Sequence, residues 1–174
     1  HGGQKAPLIV RTRGHRLVGI WHSGSPLGGM ISFLRGIFIL TPRNMTQAAG
    51  FYNSLLDLDQ PAVVIEPLNG YRTKEELPIN YGEFKTPIGE IEVMREGSDI
   101  TLVSYGSTLN IVISVAEEIK KHGINCEVID VQSLLPFDIK KEISNSIIKT
   151  NRLLIIDEDM PGGASTYILQ ELLE

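Results

Sequence analysis

Residues 100–131 read ITLVSYGSTLNIVISVAEEIKKHGINCEVIDV, and their apolar pattern indicates the fold class. The run at Ile100–Ser104 is typical of a buried strand, and Thr108–His122 has the apolar period of an amphipathic helix. Gly123 suits the end of that helix, and Cys126–Val131 is a second apolar strand. A strand, a helix and a strand in this order predict a crossover between parallel strands, so we expect an α/β fold.

The same alternation continues on both sides of this stretch. Strands are predicted at 6–13, 37–40, 62–65 and 153–156, and helices at 45–56, after residue 138 and from about residue 164. Asn44 and Asp138 are expected to cap the helices that follow them. The periodicity stops over residues 67–87, which are rich in proline and glycine. We therefore predict two parallel-sheet α/β units, residues 1–66 and 88–174, joined by a linker over residues 67–87.

The composition excludes several classes of protein. The chain has 174 residues, 42% of them hydrophobic, which is enough for a packed core and argues against a disordered tail. Its one cysteine, Cys126, excludes a disulfide framework and a multi-cysteine zinc site, and is expected to be a buried strand residue. No apolar run approaches the roughly 18 residues of a membrane helix. We expect a cytoplasmic protein with no membrane partner.

Charge is distributed unevenly along the chain. Residues 1–56 contain six lysines and arginines and no acidic residue, hence a formal charge of +6. Because the whole chain carries −5, the remainder carries −11. A basic half can attract an anionic ligand or meet an acidic partner surface. Nucleic acid is not expected, because the pI is about 5.4 and no lysine-rich stripe alternates with aromatic residues.

Residues 11–26, RTRGHRLVGIWHSGSP, form the segment richest in chemistry. They follow a predicted strand, where open α/β sheets place their ligands. His22 has a side chain that can pass a proton near neutral pH, or it satisfies loop backbone groups. Arg13, His15 and Arg16 suit a carboxylate or phosphate, or are simply solvated. Ser23 does not indicate a serine hydrolase, because the Gly-x-Ser-x-Gly motif is absent.

Other polar segments give weaker signals. Asp157, Glu158 and Asp159 suit a hard cation, although a solvated acidic turn explains them as well. Gly162 and Gly163 precede a helix, where an anion can bind, but two glycines also make an ordinary turn. Surface linker charges are expected at Arg72, Lys74, Glu75 and Glu76. No Walker A or Gly-x-Gly-x-x-Gly motif occurs.

Several longer motifs carry a family resemblance. In chain order they are GGQKAPLIVRTRG, WHSGSP, RGIFILTPRNMTQAAGFYNSLL, PAVVIEPLNGYR, EGSDITLVSYG and EVIDVQSLLPFD. Together they resemble the β-type half of the thiamine-diphosphate-dependent 2-oxo acid dehydrogenases, the E1 components of the pyruvate and branched-chain complexes. Residues 1–66 resemble the C-terminal part of the pyrimidine-binding domain. Residues 88–174 resemble the transketolase C-terminal domain and look truncated, because relatives continue with another strand and helix.

The resemblance implies a reaction and a set of partners. The cofactor's C2 carbanion adds to the keto carbon of a 2-oxo acid, carbon dioxide leaves, and the acyl equivalent reduces and acylates a lipoyl group on the E2 partner. His22 matches the family's histidine at the mouth of the active site, a proton donor. Gly24 stands where relatives have glutamine, and Phe33 where they often have histidine, so substrate choice is not transferred.

The resemblance also implies that important parts lie elsewhere. The glutamate that activates the cofactor's aminopyrimidine ring lies upstream in the family, and the Mg²⁺ and diphosphate motif belongs to another half or an α subunit. We therefore expect no confident cofactor-binding residue and no metal site here, and an inactive chain when it is alone. The intact enzyme would use thiamine diphosphate with Mg²⁺ as a homo- or hetero-oligomer.

Two alternatives stay open. A transketolase or deoxyxylulose-phosphate synthase would act on sugar phosphates, and the cluster of Arg13, His15 and Arg16 would suit a phosphate. A non-catalytic module would serve only for assembly or for docking E2. Against the first alternative, the His-Ser loop and the Pro-Leu-Asn-Gly-Tyr segment look more like E1.

Overall fold

The structure is a computed structural model that describes residues 6–14, 27–159 and 161–174. The strands are β1 Ile9–Gly14, β2 Phe38–Leu40, β3 Ala62–Pro67, β4 Glu92–Arg95, β5 Ile100–Ser104, β6 Cys126–Asp130, β7 Ser133–Leu135 and β8 Leu153–Ile155. The helices are α1 Leu27–Phe33, α2 Met45–Leu56, α3 Thr108–Lys120, α4 Glu142–Thr150 and α5 Ala164–Leu173. A 3₁₀ turn spans Leu68–Arg72.

The strands form two four-stranded sheets. The first has the order β1-β3-β2-β7 and the second the order β4-β6-β5-β8. The predicted α/β class is confirmed, but the expectation of purely parallel sheets is wrong at one edge of each sheet. There β7 runs antiparallel to β2, and β4 runs antiparallel to β6. Neither edge strand was predicted, because EVMR contains two charged residues and SLL comes only two residues after β6, so neither shows a separate apolar run like those of β2 and β8.

Asn44 caps its helix as expected, whereas Asp138 lies three residues before the N-cap of α4. The Asn44 side chain accepts a hydrogen bond from the Gln47 amide at 2.8 Å, which satisfies one of the unpaired amides at the start of α2. The Asp138 carboxylate accepts from the amides of Glu142 and Ile143, each at 2.9 Å, and so caps α4. Helix α2 therefore starts where predicted, but the start predicted for α4 is wrong by three residues: α4 begins at Glu142 after its N-cap Lys141, and Asp138 binds its first amides from the preceding turn.

Residues 67–87 are more than a linker. Glu75, expected to be a surface charge, accepts hydrogen bonds from the amides of Met45 and Thr46 at 3.1 and 2.9 Å. Asn53 on α2 donates to the carbonyls of Tyr81 and Phe84 at 2.9 and 2.8 Å. The segment therefore packs along α2. The division at residues 66 and 88 stays a prediction, and β7, which lies beyond it, joins the first sheet.

One hydrophobic core joins the two sheets. Its fully buried members include Ile39 and Ile65 from the first sheet, Val103 and Ile129 from the second, and Leu27 at the start of α1. Burial of this kind contributes about 25 cal/mol per Å² of apolar surface. In the described parts of the chain, no helix combines the length and apolar character that crossing a membrane requires.

Candidate functional site

The predicted site residues lie mostly outside the described residues. This holds for His15, Arg16, His22 and Ser23. Arg13 is described: it is exposed in β1, opposite Glu66 of β3 in the parallel register. The chain leaves the first sheet at Gly14 and re-enters the described part at Leu27. The segment that carries His22 therefore starts at the carboxyl end of a sheet, where open α/β folds bind ligands.

Glu66 lies fully buried at this same end of the first sheet, next to last in β3. Its carboxylate accepts a hydrogen bond from Arg11 Nη2 at 2.8 Å, and others from the hydroxyls of Tyr52 and Tyr71. These four residues, which we call the Glu66 cluster, join β1, α2, β3 and the 3₁₀ turn. The cluster gives one buried charge three hydrogen-bond donors, the condition that such a charge requires.

The Glu66 cluster holds its carboxylate in the charged form. Burial alone would raise the pKa of Glu66, but the hydrogen bonds from Arg11, Tyr52 and Tyr71 outweigh it and the pKa lies below its usual value. Burial together with the carboxylate raises the pKa of both tyrosines. Glu66 is therefore an ionised structural acceptor. Sequence reasoning missed it, although a glutamate inside the apolar run AVVIEP was the available signal.

A second buried carboxylate lies where the two sheets meet. Asp130 is the last residue of β6 and is fully buried, and its Oδ2 lies 2.8 Å from Arg43 Nη1. The same Arg43 atom lies 2.7 Å from Oε2 of Glu92 on β4. The amide of Gln132 donates to Asp130 at 3.2 Å, and the Gln132 side chain pairs with Gln47 of α2. We call this set the Arg43 junction.

Electrostatics at the Arg43 junction differ from those of the Glu66 cluster. Burial raises the pKa of Asp130 to about 6, even though Arg43 acts to lower it. The pKa of Arg43 is raised in spite of its own burial, because Glu92 and Asp130 both accept from it. The junction thus stays ionised at neutral pH, and Asp130 takes up a proton as the pH falls through about 6.

The carboxylates of the acidic turn after β8, residues 157–159, accept hydrogen bonds from backbone amides at the start of α5. Oδ2 of Asp157 accepts from the Ser165 amide at 2.8 Å, and Oδ2 of Asp159 accepts from the Ala164 amide at 3.3 Å. These amides are the ones that an anion would use at the start of α5. No group of three or more His, Cys, Asp or Glu side chains is arranged to hold a metal within the described ranges.

This turn lies at a switch point of the second sheet. The chain passes from β5 to β6 on one side and later reaches β8 on the other, so the crevice lies between β5 and β8. Tyr105, directly after β5, is 1% exposed there. Burial and the nearby charges of Asp157 and Asp159 raise its pKa. The N-terminal turn of α1 packs against this region, where Leu27 joins the same core.

The chain is similar in sequence and in fold to known proteins. Residues 89–174 match the family model of the transketolase C-terminal domain. The chain is 37% identical over 158 residues to 2-oxoisovalerate dehydrogenase subunit beta 2, mitochondrial, of Arabidopsis thaliana, covering 90% of this chain and 43% of the relative. It is 33% identical over 178 residues to the pyruvate dehydrogenase E1 component subunit beta of Staphylococcus epidermidis, covering 99% and 54%.

Two further relatives extend the comparison. Acetoin:2,6-dichlorophenolindophenol oxidoreductase subunit beta of Bacillus subtilis is 34% identical over 163 residues, covering 92% of this chain and 46% of the relative. A solved structure described as a split gene transketolase, inactive beta4 tetramer, has a TM-score of 0.73 at 22% identity, covering 87% of this chain and 49% of that one. At this low identity, the likeness to the split gene transketolase shows the fold alone.

Together, the fold and these comparisons define the class of this protein. The chain is an α/β protein whose residues 89–174 are similar to the transketolase C-terminal domain. The resemblance to the β-type half of 2-oxo acid dehydrogenase E1 components, first drawn from the motifs, is confirmed by the relatives. The chain spans about half the length of those relatives.

Proposed function

We propose that this chain is part of the E1 component of a 2-oxo acid dehydrogenase complex. The whole enzyme would carry out oxidative decarboxylation of pyruvate or a branched-chain 2-oxo acid and reductive acyl transfer to lipoyl-E2. One observation carries the proposal: the 33–37% identity extends across both sheets rather than over the C-terminal domain alone. The relatives are named for different substrates, so an activity assay must determine which 2-oxo acid this enzyme would use.

His22 is proposed as the proton donor at the mouth of the active site. Arg13, His15, Arg16 and Ser23 are proposed as weaker contacts to an anionic group. Two observations support this assignment: the segment follows the carboxyl end of β1, and Arg13 is exposed at that end. A histidine suits proton transfer because its ordinary pKa lies near neutral pH.

Thiamine diphosphate with Mg²⁺ is the cofactor proposed for the intact enzyme, where it would supply the carbanion chemistry. The described residues do not fit a complete site for it. Glu66 already accepts three hydrogen bonds, and Asp157 and Asp159 accept from the start of α5. We therefore infer that a diphosphate-binding half or α subunit completes the site.

The decisive experiment reconstitutes the protein with that missing half, thiamine diphosphate and Mg²⁺. A panel of 2-oxo acids is assayed with an artificial electron acceptor and then with lipoamide. His22→Ala should lower lipoamide-dependent turnover roughly a hundredfold, the scale of one acid-base group, without weakening cofactor binding. The matched control is His122→Ala, because His122 is exposed beyond the end of α3. Near-normal lipoamide turnover by a folded His22→Ala protein would exclude this role.

A calorimetric titration tests the cofactor assignment. The 174-residue chain alone should bind thiamine diphosphate and Mg²⁺ only weakly, with a salt-sensitive contact to its basic half. It should decarboxylate no 2-oxo acid. Micromolar or tighter binding at physiological salt would mean that the chain holds more of the site than proposed.

Two other functions are tested by the same reconstitution. A transketolase or deoxyxylulose-phosphate synthase, whose phosphate substrate the basic residues Arg13, His15 and Arg16 would suit, would turn over ketose phosphates but not 2-oxo acids. A non-catalytic assembly or E2-docking module would bind E2 and turn over neither. Activity with 2-oxo acids and lipoamide rejects both.

A further inference from the structure

A cavity of about 580 Å³ lies between α1 and α5. Its volume falls within the range of about 300–1,000 Å³ that is typical of small-molecule sites. Apolar side chains line it where the first sheet borders it, among them Ile37, which precedes β2, Leu135 at the end of β7, and Pro136. The cavity therefore suits a small molecule with an apolar body.

The two helices flank this cavity side by side. They touch at their first turns, where a Cβ on Gly28 would lie 3.0 Å from Cα of Gly163. Beyond this contact, successive turns of both helices line the cavity, as far as Arg35, seven positions after Gly28, and Glu171, eight positions after Gly163. Glycine backbone thus forms one end of the cavity, and two opposite charges lie toward the other.

The guanidinium of Arg35 is anchored but has donors to spare. Its Nη1 donates to the carbonyl oxygens of Ile31 and Leu34 at 3.2 and 2.9 Å, which holds the group at the end of α1. Both bonds use the same nitrogen, and Nη2 and Nε have no partner among the described residues. Two adjacent N–H donors of a guanidinium match the two oxygens of a carboxylate.

The carboxylate of Glu171 lies one helical turn after Tyr167 on α5. Burial, together with the charge of Glu171 and a hydrogen bond to its carboxylate, raises the pKa of Tyr167. The ring of Tyr167 packs edge-on against Phe137, with centroids 6.0 Å apart. A carboxylate accepts several hydrogen bonds, so Glu171 can receive an ammonium group as well as the tyrosine hydroxyl. The printed contacts of Arg35 are with carbonyl oxygens, so in the described structure the two charges are not paired with each other.

We propose that this cavity binds an α-amino acid with a large apolar side chain. Arg35 takes the carboxylate, Glu171 takes the ammonium group, and the side chain lies against Ile37, Leu135 and Pro136. An amino acid carries both charges on one carbon and its apolar group on the same carbon, which matches two opposite charges beside an apolar cavity. The inference does not rest on the proposed function, because it concerns described residues alone and its test requires no activity.

A titration of the 174-residue chain, followed by amide NMR at pH 7, tests the class of ligand. Millimolar L-phenylalanine should shift the amide signals of Gly36, Gly162 and Thr166, which line the cavity. The analogues 3-phenylpropanoate and 2-phenylethylamine keep the ring but each lacks one charge, and glycine lacks the ring. Each should bind at least about tenfold more weakly, the scale of one hydrogen-bonded charge. Unshifted amides, or an equal affinity for either single-charge analogue, would overturn the proposal.

Charge-neutral variants then assign each end of the amino acid. Arg35→Gln should weaken L-phenylalanine at least about tenfold and leave 2-phenylethylamine unaffected, because that analogue has no carboxylate. Glu171→Gln should weaken L-phenylalanine similarly and leave 3-phenylpropanoate unaffected. The matched controls are Arg72→Gln and Glu76→Gln, which neutralise exposed charges that do not line the cavity.

The result that contradicts the assignment is unchanged affinity for L-phenylalanine in both cavity variants, or an equal loss in the controls. The analogue series uses the unaltered chain, so it decides the question even if a variant does not fold.

Discussion

The two sheets each bury one carboxylate near the carboxyl end of a central strand, and the two behave in opposite ways. Glu66 in β3 and Asp130 in β6 are both fully buried and both contact an arginine at 2.8 Å. Glu66 accepts two further hydrogen bonds from tyrosines, and its pKa is lowered. Asp130 gains only the Gln132 amide, and its pKa is raised to about 6.

The difference follows from the greater number of donors at Glu66 together with the deeper burial of Asp130. Burial disfavours the ionised form at both places. Three charge-stabilising donors reverse this at Glu66, whereas the arginine at Asp130 is shared with Glu92. Glu66 therefore stays ionised to lower pH than Asp130, and the Arg43 junction is more sensitive to pH near neutrality.

Removing Arg43 should have the largest effect on stability. Arg43→Ala leaves Asp130 as an uncompensated buried charge, which costs about 3–5 kcal/mol. Denaturant unfolding at pH 7 measures this loss, and repeating it at pH 4 should show a smaller one, because Asp130 is then protonated. The control is Arg35→Ala, since Arg35 is exposed and contacts only carbonyl oxygens in the described structure. If Arg43→Ala lost the same unfolding free energy at both pH values, the raised pKa of Asp130 would be contradicted.

Neutralising Glu66 should have the next largest effect. Glu66→Gln keeps the size of the side chain but removes the charge and turns an –NH₂ group toward a donor, which costs about 2–3 kcal/mol. The control is Glu117→Gln, because Glu117 is mostly exposed and its ion pair with Arg95 at 3.0 Å lies at the surface. If Glu66→Gln lost no more stability than Glu117→Gln, the hydrogen bonds of the Glu66 cluster would not require the charge of Glu66.

The pH dependence should have opposite signs at the two carboxylates. Asp130 has a raised pKa when folded, so its contribution to stability is largest below the unfolded pKa and declines as the pH rises through about 6. At about 1.4 kcal/mol per pKa unit, the stability of the protein relative to Asp130→Asn should fall by about 3 kcal/mol as the pH rises across this window.

Glu66 should behave in the reverse manner. Its folded pKa is lowered, so its contribution is present above the unfolded pKa and is lost as the pH falls through the folded value. Unfolding free energies of the protein, Asp130→Asn and Glu66→Gln, measured from pH 3 to pH 8, test both signs together. If the unfolding free energies of the two variants changed with pH in the same way, the opposite signs expected for Asp130 and Glu66 would be wrong.

Removing one tyrosine hydroxyl should have the smallest effect. Tyr71→Phe deletes one of the three donors to Glu66, and a loss of about 1 kcal/mol is expected because Arg11 and Tyr52 remain. The pKa of Glu66 should rise toward its usual value, which titration followed by carboxyl NMR would detect. Tyr81→Phe is the control, as Tyr81 is 64% exposed. An unchanged Glu66 pKa would show that Tyr71 contributes nothing to the cluster.

The local elements could be predicted from the sequence because their signals are local. The alternation of apolar runs predicts β5, α3 and β6, and Asn44, three positions before the amide that it binds, predicts the start of α2. Longer motifs also indicate the family before any coordinates are known. The strands β4 and β7 were missed because neither forms a separate apolar run and both are defined by their pairing partners.

Distant contacts required the tertiary structure. Arg11 and Glu66 lie 55 positions apart in the sequence, and Arg43 and Asp130 lie 87 apart. Nothing in the spacing of such residues indicates that they meet, because their approach depends on how strands are ordered in a sheet and how two sheets share a core. The sequence alone determined four of the five helices and six of the eight strands of the described residues and indicated the family; the packing of the folded chain decided which charges are paired and which pKa values rise or fall.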